Sequence, residues 1–296
     1  MAEHSLARCR WRWMVCGLMV SWLFAASAKG VEVGDGRGGT VKLERVPQRV
    51  VSLLPSLTEM VCALNQCQHL VGVDRYSNYP SPVRSLPQLG SGMTPNVEAI
   101  VALQPDLVLI ATSSAAAAGR LRALGITVLA LEPKTHADVR YALTTLGQVF
   151  DVRDAQRGWR DIESGMREAA RLLVPRQPPT RVYFEVNAAP YAAGEASFIG
   201  ETLTRLGVQN IVPTKLGAFP KINPEMVVRA DPDVILVGDS TYSGMAGRPG
   251  WSRLRAIAQG RVCVFTPEQS DVMVRPGPRM AEAAHAIAQC LKDKAP

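Results

Sequence analysis

Two glutamates, Glu98 and Glu225, occupy equivalent positions in a stretch of sequence that occurs twice. Residues 96–110 return as residues 223–237, at a constant offset of 127 residues without a gap. Each copy predicts a short helix capped by its first residue, an asparagine, then a Pro-Asp turn and a buried apolar strand. The helix dipole alone favours a carboxylate in each first turn, by about 0.3–1 kcal/mol. A repeat at this distance indicates two similar lobes, and such lobes usually enclose something between them.

A second group of side chains is suited to holding a ligand. In doubly wound sheets, ligands sit beyond the carboxyl ends of the strands. Tyrosine fits such a wall because it offers flat apolar area and a hydroxyl group, and a helix N-terminus offers backbone N–H groups to an acceptor or an anion. The alternative is that about half of the tyrosines only cover the core edge. The predicted ligand-binding residues are Ser56, Tyr76, Tyr191, Phe219, Tyr242, Asp271 and Arg275.

Motifs for catalysis and for metal binding are missing from the sequence. The Gly-x-Ser-x-Gly elbow of hydrolases is absent, and residues 194–198, Gly-Glu-Ala-Ser-Phe, do not match it. No HExxH and no P-loop signature occurs, and His69, His136 and His285 are far apart in sequence. We therefore expect no catalytic residue, no bound metal and no cofactor. A secreted α/β hydrolase is the alternative class.

The alternation of strands and helices predicts the framework that positions these residues. It indicates an α/β fold of two Rossmann-like lobes with parallel sheets, joined by a single long backbone helix. We expect an N-terminal lobe over residues 29–135, linking helices over 136–175 and a C-terminal lobe over 176–296. The backbone helix is predicted from Val152 to Leu173, about 33 Å at 1.5 Å per residue. A single stiff crossing between the lobes predicts small hinge motion.

Two local motifs have ordinary structural explanations. The sequence Ser56-Leu57-Thr58-Glu59 fits a capping box, in which Ser56 and Glu59 satisfy opposed backbone donors at the start of a helix. The glycine-rich run 34–39 neither follows a strand nor opens a helix. It is therefore predicted to be the turn of a hairpin and not a dinucleotide site.

The first 28 residues have the pattern of a secretory signal peptide. Three arginines precede an uncharged apolar stretch, and Ala26-Ser27-Ala28 fits a cleavage site. The apolar stretch is short for a membrane span, which needs about 20 residues, and an uncleaved anchor is the alternative. Export to the periplasm, with cleavage near Ala28, is the prediction.

The charge pattern does not indicate nucleic-acid binding. Removing residues 1–28 lowers the formal net charge from +7 to +5. The remaining basic residues are scattered, with no run of Lys and Arg and no interleaved aromatic residues. A solvated, mildly basic exterior is the interpretation.

Four cysteines remain after the predicted cleavage, namely Cys62, Cys67, Cys263 and Cys290. An oxidising compartment permits disulfides, and four cysteines allow three pairings. Pairing Cys62 with Cys67 and Cys263 with Cys290 keeps each bridge within one lobe, so this set is preferred. Buried free thiols are the alternative, because free cysteine packs as a small hydrophobic residue.

Several further motifs are characteristic when they are taken together. They are Arg49-Val50-Val51-Ser52-Leu53, Val71-Gly72-Val73, Tyr76-Ser77-Asn78-Tyr79-Pro80, both copies of the repeat, and Arg275 with Pro278-Arg279. With these motifs, the chain from about Val41 to the C-terminus resembles the periplasmic substrate-binding proteins of ABC importers for iron-siderophores, haem or cobalamin. This is the class with a helical backbone between its lobes. Residues 71–80 and their spacing to Glu98 are most similar to the cobalamin-binding members.

The resemblance implies a monomeric receptor that captures a large metal chelate between its lobes and delivers it to an ABC permease. In the family, a pair of glutamates like Glu98 and Glu225 docks onto arginines of the two membrane subunits. Charge-assisted pairs between arginine and carboxylate at two separated points fix orientation as well as adding energy.

The resemblance also bears on the ligand. Motif likeness favours cobalamin or another corrinoid, although cobalamin-binding relatives have tryptophans at cleft positions where this chain has Gly92 and Ala111. An anionic ferric siderophore, the second alternative, would require several basic residues in the cleft. Haem, the third, would require an axial tyrosine or histidine, which the tyrosines permit.

Overall fold

The computed structural model describes residues 30–188 and 190–296. The predicted signal peptide and its cleavage site near Ala28 lie outside the described residues. In the part of the chain that is described, no helix combines the length and the apolar character needed to cross a membrane.

The first lobe contains a hairpin and a four-stranded sheet. The hairpin pairs β1 (Val31–Gly34) with antiparallel β2 (Thr40–Leu43), so the glycine-rich run forms the predicted turn. The four strands of the sheet are all parallel, in the spatial order second, first, third, fourth. These strands are β3 (Val50–Ser52), β4 (Leu70–Val73), β5 (Leu107–Ile110) and β6 (Val128–Ala130). The helices between them are α1 (Pro55–Ala63), α2 (Val97–Ala102) and α3 (Ala115–Ala123).

Two helices link the lobes. Helix α4 (His136–Val149) begins at the first residue of the predicted linking segment. Helix α5 (Arg157–Ala170) is the backbone helix, and at 14 residues it is about 21 Å long, shorter than predicted. The prediction was wrong at its start because Asp151 adopts a positive φ of 51° and ends the preceding helix in a turn. The N-cap residue of α5 is Gln156.

The second lobe contains a five-stranded sheet. Its strands are β7 (Arg181–Asn187), β8 (Tyr191–Ala192), β9 (Gln209–Asn210), β10 (Val234–Gly238) and β11 (Val262–Phe265). All pairings are parallel except that of the two-residue β8, which lies antiparallel to β7. The helices of this lobe are α6 (Phe198–Arg205), α7 (Pro224–Ala230), α8 (Asp239–Tyr242), α9 (Arg255–Ala258), α10 (Pro267–Met273) and α11 (Met280–Lys294).

The parallel strands of the two sheets follow the same order. The first sheet runs β4-β3-β5-β6 and the second runs β9-β7-β10-β11, so each places its second strand outside its first. The repeated sequence supplies the third strand of each sheet, β5 and β10, and the helix before it, α2 and α7. The sequence repeat is therefore a structural repeat.

One continuous hydrophobic core joins the lobes. It includes apolar residues from one face of both sheets and from α1, α4, α5 and α11, while two smaller clusters cover the other faces of the sheets. Helices α5 and α11 cross closely, since a Cβ atom on Gly165 would lie 2.5 Å from the Cβ of Ala281. Closely packed interiors deform little, and small hinge motion remains the expectation.

Both preferred disulfides are formed, Cys62–Cys67 and Cys263–Cys290. The predicted capping box at Ser56 and Glu59 is wrong. Leu54 is the N-cap of α1 and makes no side-chain capping bond, and Pro55 is the first helical residue. This leaves both polar side chains free for other contacts.

Candidate functional site

A cavity of about 430 Å³ lies between the two lobes. The loop after β3, the loop after β4 and the segment after α10 form its walls, so it lies at the carboxyl ends of strands, where doubly wound sheets bind ligands. Four of the predicted ligand-binding residues meet here. The cavity is lined by Leu54, Pro55, Ser56, Arg75, Tyr76, Asn78, Asp271, Val274, Arg275 and Pro276.

Tyr191, Phe219 and Tyr242 do not line this cavity. Tyr191 in β8 and Phe219 lie on adjacent segments, because Tyr191 bridges to Lys221 and the Phe219 ring packs 5.9 Å from that of Phe198. Tyr242 ends α8, which follows the next strand of the sheet. All three side chains are exposed. They lie at the carboxyl end of the second sheet, and their role as ligand contacts stays a prediction.

Arg275 ties the two lobes together. One terminal nitrogen, Nη1, donates to Glu59 Oε1 at 3.1 Å and to Asn78 Oδ1 at 2.7 Å. The other, Nη2, donates to the Tyr76 carbonyl oxygen at 3.0 Å and pairs with Asp271 at 2.8 Å. The guanidinium thus makes three hydrogen bonds and a further ion pair, and the residue is buried. Its predicted role toward a ligand is untested, and the geometry gives it a structural role.

Arg279 completes this ion cluster. Its guanidinium donates to Glu59 through Nε at 2.8 Å and through Nη2 at 2.6 Å, a fork-shaped pair. It also lies over the ring of Tyr79, 4.1 Å from the centroid. The sequence analysis missed Glu59 and Asn78 as bridging residues. The i, i+4 spacing of Arg275 and Arg279 was the available signal, because it suits two arginines that converge on one carboxylate.

Ser56 and Tyr76 both line the cavity but differ in their exposure to solvent. Ser56 is buried, and its Oγ has no hydrogen-bond partner among the described residues. Tyr76 is exposed, with the guanidinium carbon of Arg75 lying 5.8 Å from its ring centroid. Behind it, burial raises the pKa of Asp74, while hydrogen bonds from Ser77 and from the amide of Tyr76 oppose that shift.

Gly92, which packs against the backbone after β3, has no room for a large side chain. A Cβ atom there would lie 2.6 Å from the carbonyl oxygen of Leu53. A tryptophan at this position would therefore require the backbone to move. Ala111 is buried as well. The neighbouring exposed residue is Met93, whose sulfur accepts a hydrogen bond from Ser114 Oγ at 3.6 Å.

Glu132 is a third residue that was not predicted from the sequence. It follows β6 and accepts hydrogen bonds from the Thr112 hydroxyl and, at 2.8 Å, from the Ser113 amide. Burial acts to raise its pKa, but these hydrogen bonds outweigh burial and lower the pKa overall. The carboxylate thus holds the loop after β5 against the loop after β6.

Glu98 and Glu225 have the predicted placement. Asn96 caps α2 by accepting from the Ala99 amide at 2.9 Å, and Asn223 caps α7 by accepting from the Glu225 amide at 2.9 Å. Each glutamate lies in a first helical turn and is exposed. Because each helix precedes a parallel strand, its N-terminus lies at the carboxyl edge of the sheet, where the cavity is.

The aspartate of the Pro-Asp turn in each repeat holds its helix-strand unit in the same way. Asp106 accepts from the Arg49 amide at 2.9 Å, and Asp233 accepts from the Arg181 amide at 2.8 Å. Arg49 and Arg181 precede or begin the first strand of each sheet. Both glutamates are therefore carried on equivalent, anchored units.

Comparison with known proteins agrees with this architecture. Residues 50–269 match the family described as periplasmic binding protein. The chain belongs to this family, whose members are solute-binding proteins, and the predicted fold class is confirmed.

Individual relatives span most of the chain. An uncharacterised ABC transporter substrate-binding lipoprotein of Bacillus subtilis is 28% identical, over 88% of this chain and 85% of the relative. A cobalamin-binding protein of Halobacterium salinarum is 30% identical, over 85% of this chain and 73% of the relative. The crystal structure of a periplasmic haem-binding protein from Pseudomonas aeruginosa aligns with a TM-score of 0.71 and 25% identity, over 84% of this chain and 94% of that one.

Proposed function

We propose that this chain is a periplasmic receptor that captures one large metal chelate between its lobes and delivers it to an ABC permease. The observation that carries the proposal is the cavity between the lobes, built from carboxyl-end loops of one sheet and from the segment that follows the other. Membership of the periplasmic binding protein family supports it. The division into lobes at residues 29–135 and 176–296 with linking helices at 136–175 is part of the proposal.

Cobalamin or another corrinoid is the favoured cargo. The relative of highest identity quoted above carries the name cobalamin-binding protein. The exposed aromatic side chains Tyr76, Tyr191, Phe219 and Tyr242 supply flat surface for a macrocycle. The crowded backbone at Gly92 implies that the macrocycle contacts a different wall from the tryptophan wall of cobalamin-binding relatives.

A haem or a ferric siderophore is the alternative ligand for the same site. The structural similarity to a haem-binding protein favours haem, and exposed tyrosine hydroxyls are suitable axial ligands for its iron. A ferric siderophore would contact Arg75, the cavity arginine with no ion-pair partner among the described residues.

Docking to the membrane subunits of the importer is assigned to Glu98 and Glu225. Their exposure, their equivalence in the structural repeat and their position at the carboxyl edges of the sheets support this assignment. Two carboxylates carried on separate lobes would fix the receptor over a permease and leave the cavity facing it.

Export through a signal peptide cleaved near Ala28, and action as a monomer without catalysis, complete the proposal. The absence of the hydrolase, zinc and P-loop motifs from the sequence argues against the alternative of a secreted hydrolase.

The visible spectrum of the protein purified from cells tests the cargo class. Corrinoids, haem and ferric chelates absorb differently, so a bound corrinoid spectrum is the expected result. A haem or ferric-chelate spectrum would move the assignment to the alternative ligand. Turnover of an added ester or peptide would contradict a receptor.

A further inference from the structure

One hydroxyl group at the cavity has no hydrogen-bond partner among the described residues. Ser56 is 3% exposed, and its Oγ makes no hydrogen bond within residues 30–188 and 190–296. A buried hydroxyl without a partner costs free energy, and buried polar groups are nearly always paired. Since Ser56 lines the cavity, a group bound in the cavity can supply the partner.

The helix that carries Ser56 adds backbone donors at the same place. Helix α1 spans nine residues and has no side-chain cap, because its N-cap residue is Leu54. The amide of Ser56 lies in the first turn, where a helix offers no intrahelical acceptor. The hydroxyl, the amide and the positive end of the helix dipole therefore favour an acceptor with negative charge.

Arg75 supplies a cation at the same end of the cavity. It follows β4, which pairs directly with β3, the strand that leads into Ser56. No ion pair of the described residues involves Arg75. The carboxylate of the neighbouring Asp74 accepts hydrogen bonds from the Ser77 hydroxyl and the Tyr76 amide and makes no ion pair with Arg75 among the described residues.

Two acidic groups at the cavity, Asp271 and Glu59, already have cationic partners. Asp271 pairs with Arg275 at 2.8 Å and accepts from Asn78 at 2.9 Å. Glu59 is engaged by Arg275 and Arg279. Among the residues that line the cavity, the charged side chain without an ion-pair partner is thus Arg75.

We propose that Ser56 and Arg75 form a subsite for an oxyanion carried by the ligand, a phosphate or carboxylate substituent remote from the metal. This inference rests on the proposed receptor function and names the ligand group that its cavity recognises. Ser56 would donate through its hydroxyl and its amide, and Arg75 through its guanidinium. Discrimination would follow because an uncharged analogue leaves the buried hydroxyl of Ser56 and the Arg75 cation without an acceptor.

Three ligand pairs distinguish the possible sources of the oxyanion. Cyanocobalamin carries a phosphodiester that dicyanocobinamide lacks. Haemin carries propionates that haemin dimethyl ester lacks. Ferric enterobactin is anionic, whereas ferrichrome is neutral. Dissociation constants are measured by fluorescence quenching for the wild-type protein and for the variants Ser56→Ala, Arg75→Gln and Arg75→Lys. Arg45→Gln is the matched control, because Arg45 is exposed and does not line the cavity.

The expected result is a preference of about tenfold or more for the anionic member of the pair that binds. Ser56→Ala and Arg75→Gln should weaken binding of that member by about tenfold each and leave the neutral member within about twofold. Arg75→Lys should restore much of the affinity, and Arg45→Gln should have no effect.

Two outcomes would overturn the subsite while leaving the receptor intact. They are equal affinity for both members of the pair that binds, and an equal loss for both members in the variants. If no ligand of any pair binds, the receptor function itself is contradicted and the subsite with it.

Discussion

Arg279 and Glu59 form a two-point ion pair across the interface between the lobes, with nitrogen–oxygen distances of 2.8 and 2.6 Å. The pair joins residues 220 positions apart in the chain. Arg275 binds the same carboxylate from the other side, and the Glu59 side chain is only 2% exposed. One buried carboxylate therefore holds two arginines of the second lobe against the first.

Replacing Glu59 by glutamine should destabilise the protein strongly. The variant keeps the shape but removes the ion-pair partner that the structure gives Arg279 and leaves Arg275 paired with Asp271 alone. Removing one partner of a buried ion cluster costs about 3 kcal/mol or more. Urea denaturation measures the loss. The control Glu32→Gln breaks the exposed pair with Lys42, where both side chains are at least half exposed, and should cost less than about 1 kcal/mol. Equal, small losses in the two variants would contradict the role given to Glu59.

The sequence could not predict this use of Glu59. Four residues after Pro55, it fitted a helix cap, which is a local pattern, whereas its partners come from the other lobe. Contacts between residues so far apart in the chain depend on how the two lobes pack together. Local sequence periodicity does not determine that packing. The same limit applies to Arg275, which was predicted for the ligand and is mostly engaged by protein groups.

Local and repeated features were predictable from sequence. The linking helices begin at the predicted residue, His136, because helical spacing of apolar residues is a strong signal. The asparagine caps of α2 and α7 followed from the repeat. The backbone helix was predicted too long, since a turn at residues 151–156 interrupts a sequence that is helical in its pattern.

His136 should make stability fall in acid. It lies where α4 meets α6, its Nε2 within 3.0 Å of the Phe198 carbonyl oxygen and of Thr202 Oγ1. Burial, aided by the positive charge of Arg205, lowers its pKa from 6.5 to about 4. Because the folded pKa lies below the unfolded one, the fold favours the neutral ring. The contribution of His136 to the free energy of unfolding is complete above pH 6.5 and is lost as the pH falls toward 4. The loss is about 3 kcal/mol at most.

Urea denaturation at pH 7 and pH 4 measures this effect in the wild-type protein and in His136→Gln. Carboxylates titrate in the same range in both proteins, so the difference between the two losses isolates His136. The wild-type protein should lose more stability between the two pH values. Identical losses would show that His136 does not carry the pH dependence.

The two disulfides should contribute unequally to the free energy of unfolding. Cys263–Cys290 closes a loop with a sequence separation of 27 and Cys62–Cys67 one of 5. Loop-closure entropy assigns about 3.5 kcal/mol to the longer loop and about 2 kcal/mol to the shorter one. Denaturation of the double variants Cys263→Ala/Cys290→Ala and Cys62→Ala/Cys67→Ala compares them. A larger loss from the shorter loop would contradict the entropic account.

Adding a methyl group at Gly92 should be destabilising. The new Cβ would lie 2.6 Å from the Leu53 carbonyl oxygen, so Gly92→Ala forces the backbone apart at a cost of about 1–3 kcal/mol. Gly119→Ala is the control, because Gly119 lies in α3 with open space around it, and should stabilise by about 0.5–1 kcal/mol. Thermal denaturation should show shifts of opposite sign. A neutral Gly92→Ala would mean that a larger side chain fits this wall after all.

Reversing the charge of both Glu98 and Glu225 to arginine should abolish ligand uptake by cells while ligand affinity stays unchanged. The two carboxylates lie outside the cavity, so the variant should lose only its attraction to the permease. Glu44→Arg, at another exposed glutamate, should transport normally. Loss of ligand affinity in the double variant would mean that the glutamates serve the binding site instead.

The most direct test that the two lobes bind a ligand between them is a titration of the purified protein with cyanocobalamin, haemin and ferric siderophores. Intrinsic tyrosine and tryptophan fluorescence reports the binding. The account predicts saturable quenching at one ligand per chain, with cyanocobalamin bound most tightly and every ligand recovered unchanged. No saturable response to any of these chelates, or chemical conversion of one of them, would contradict it.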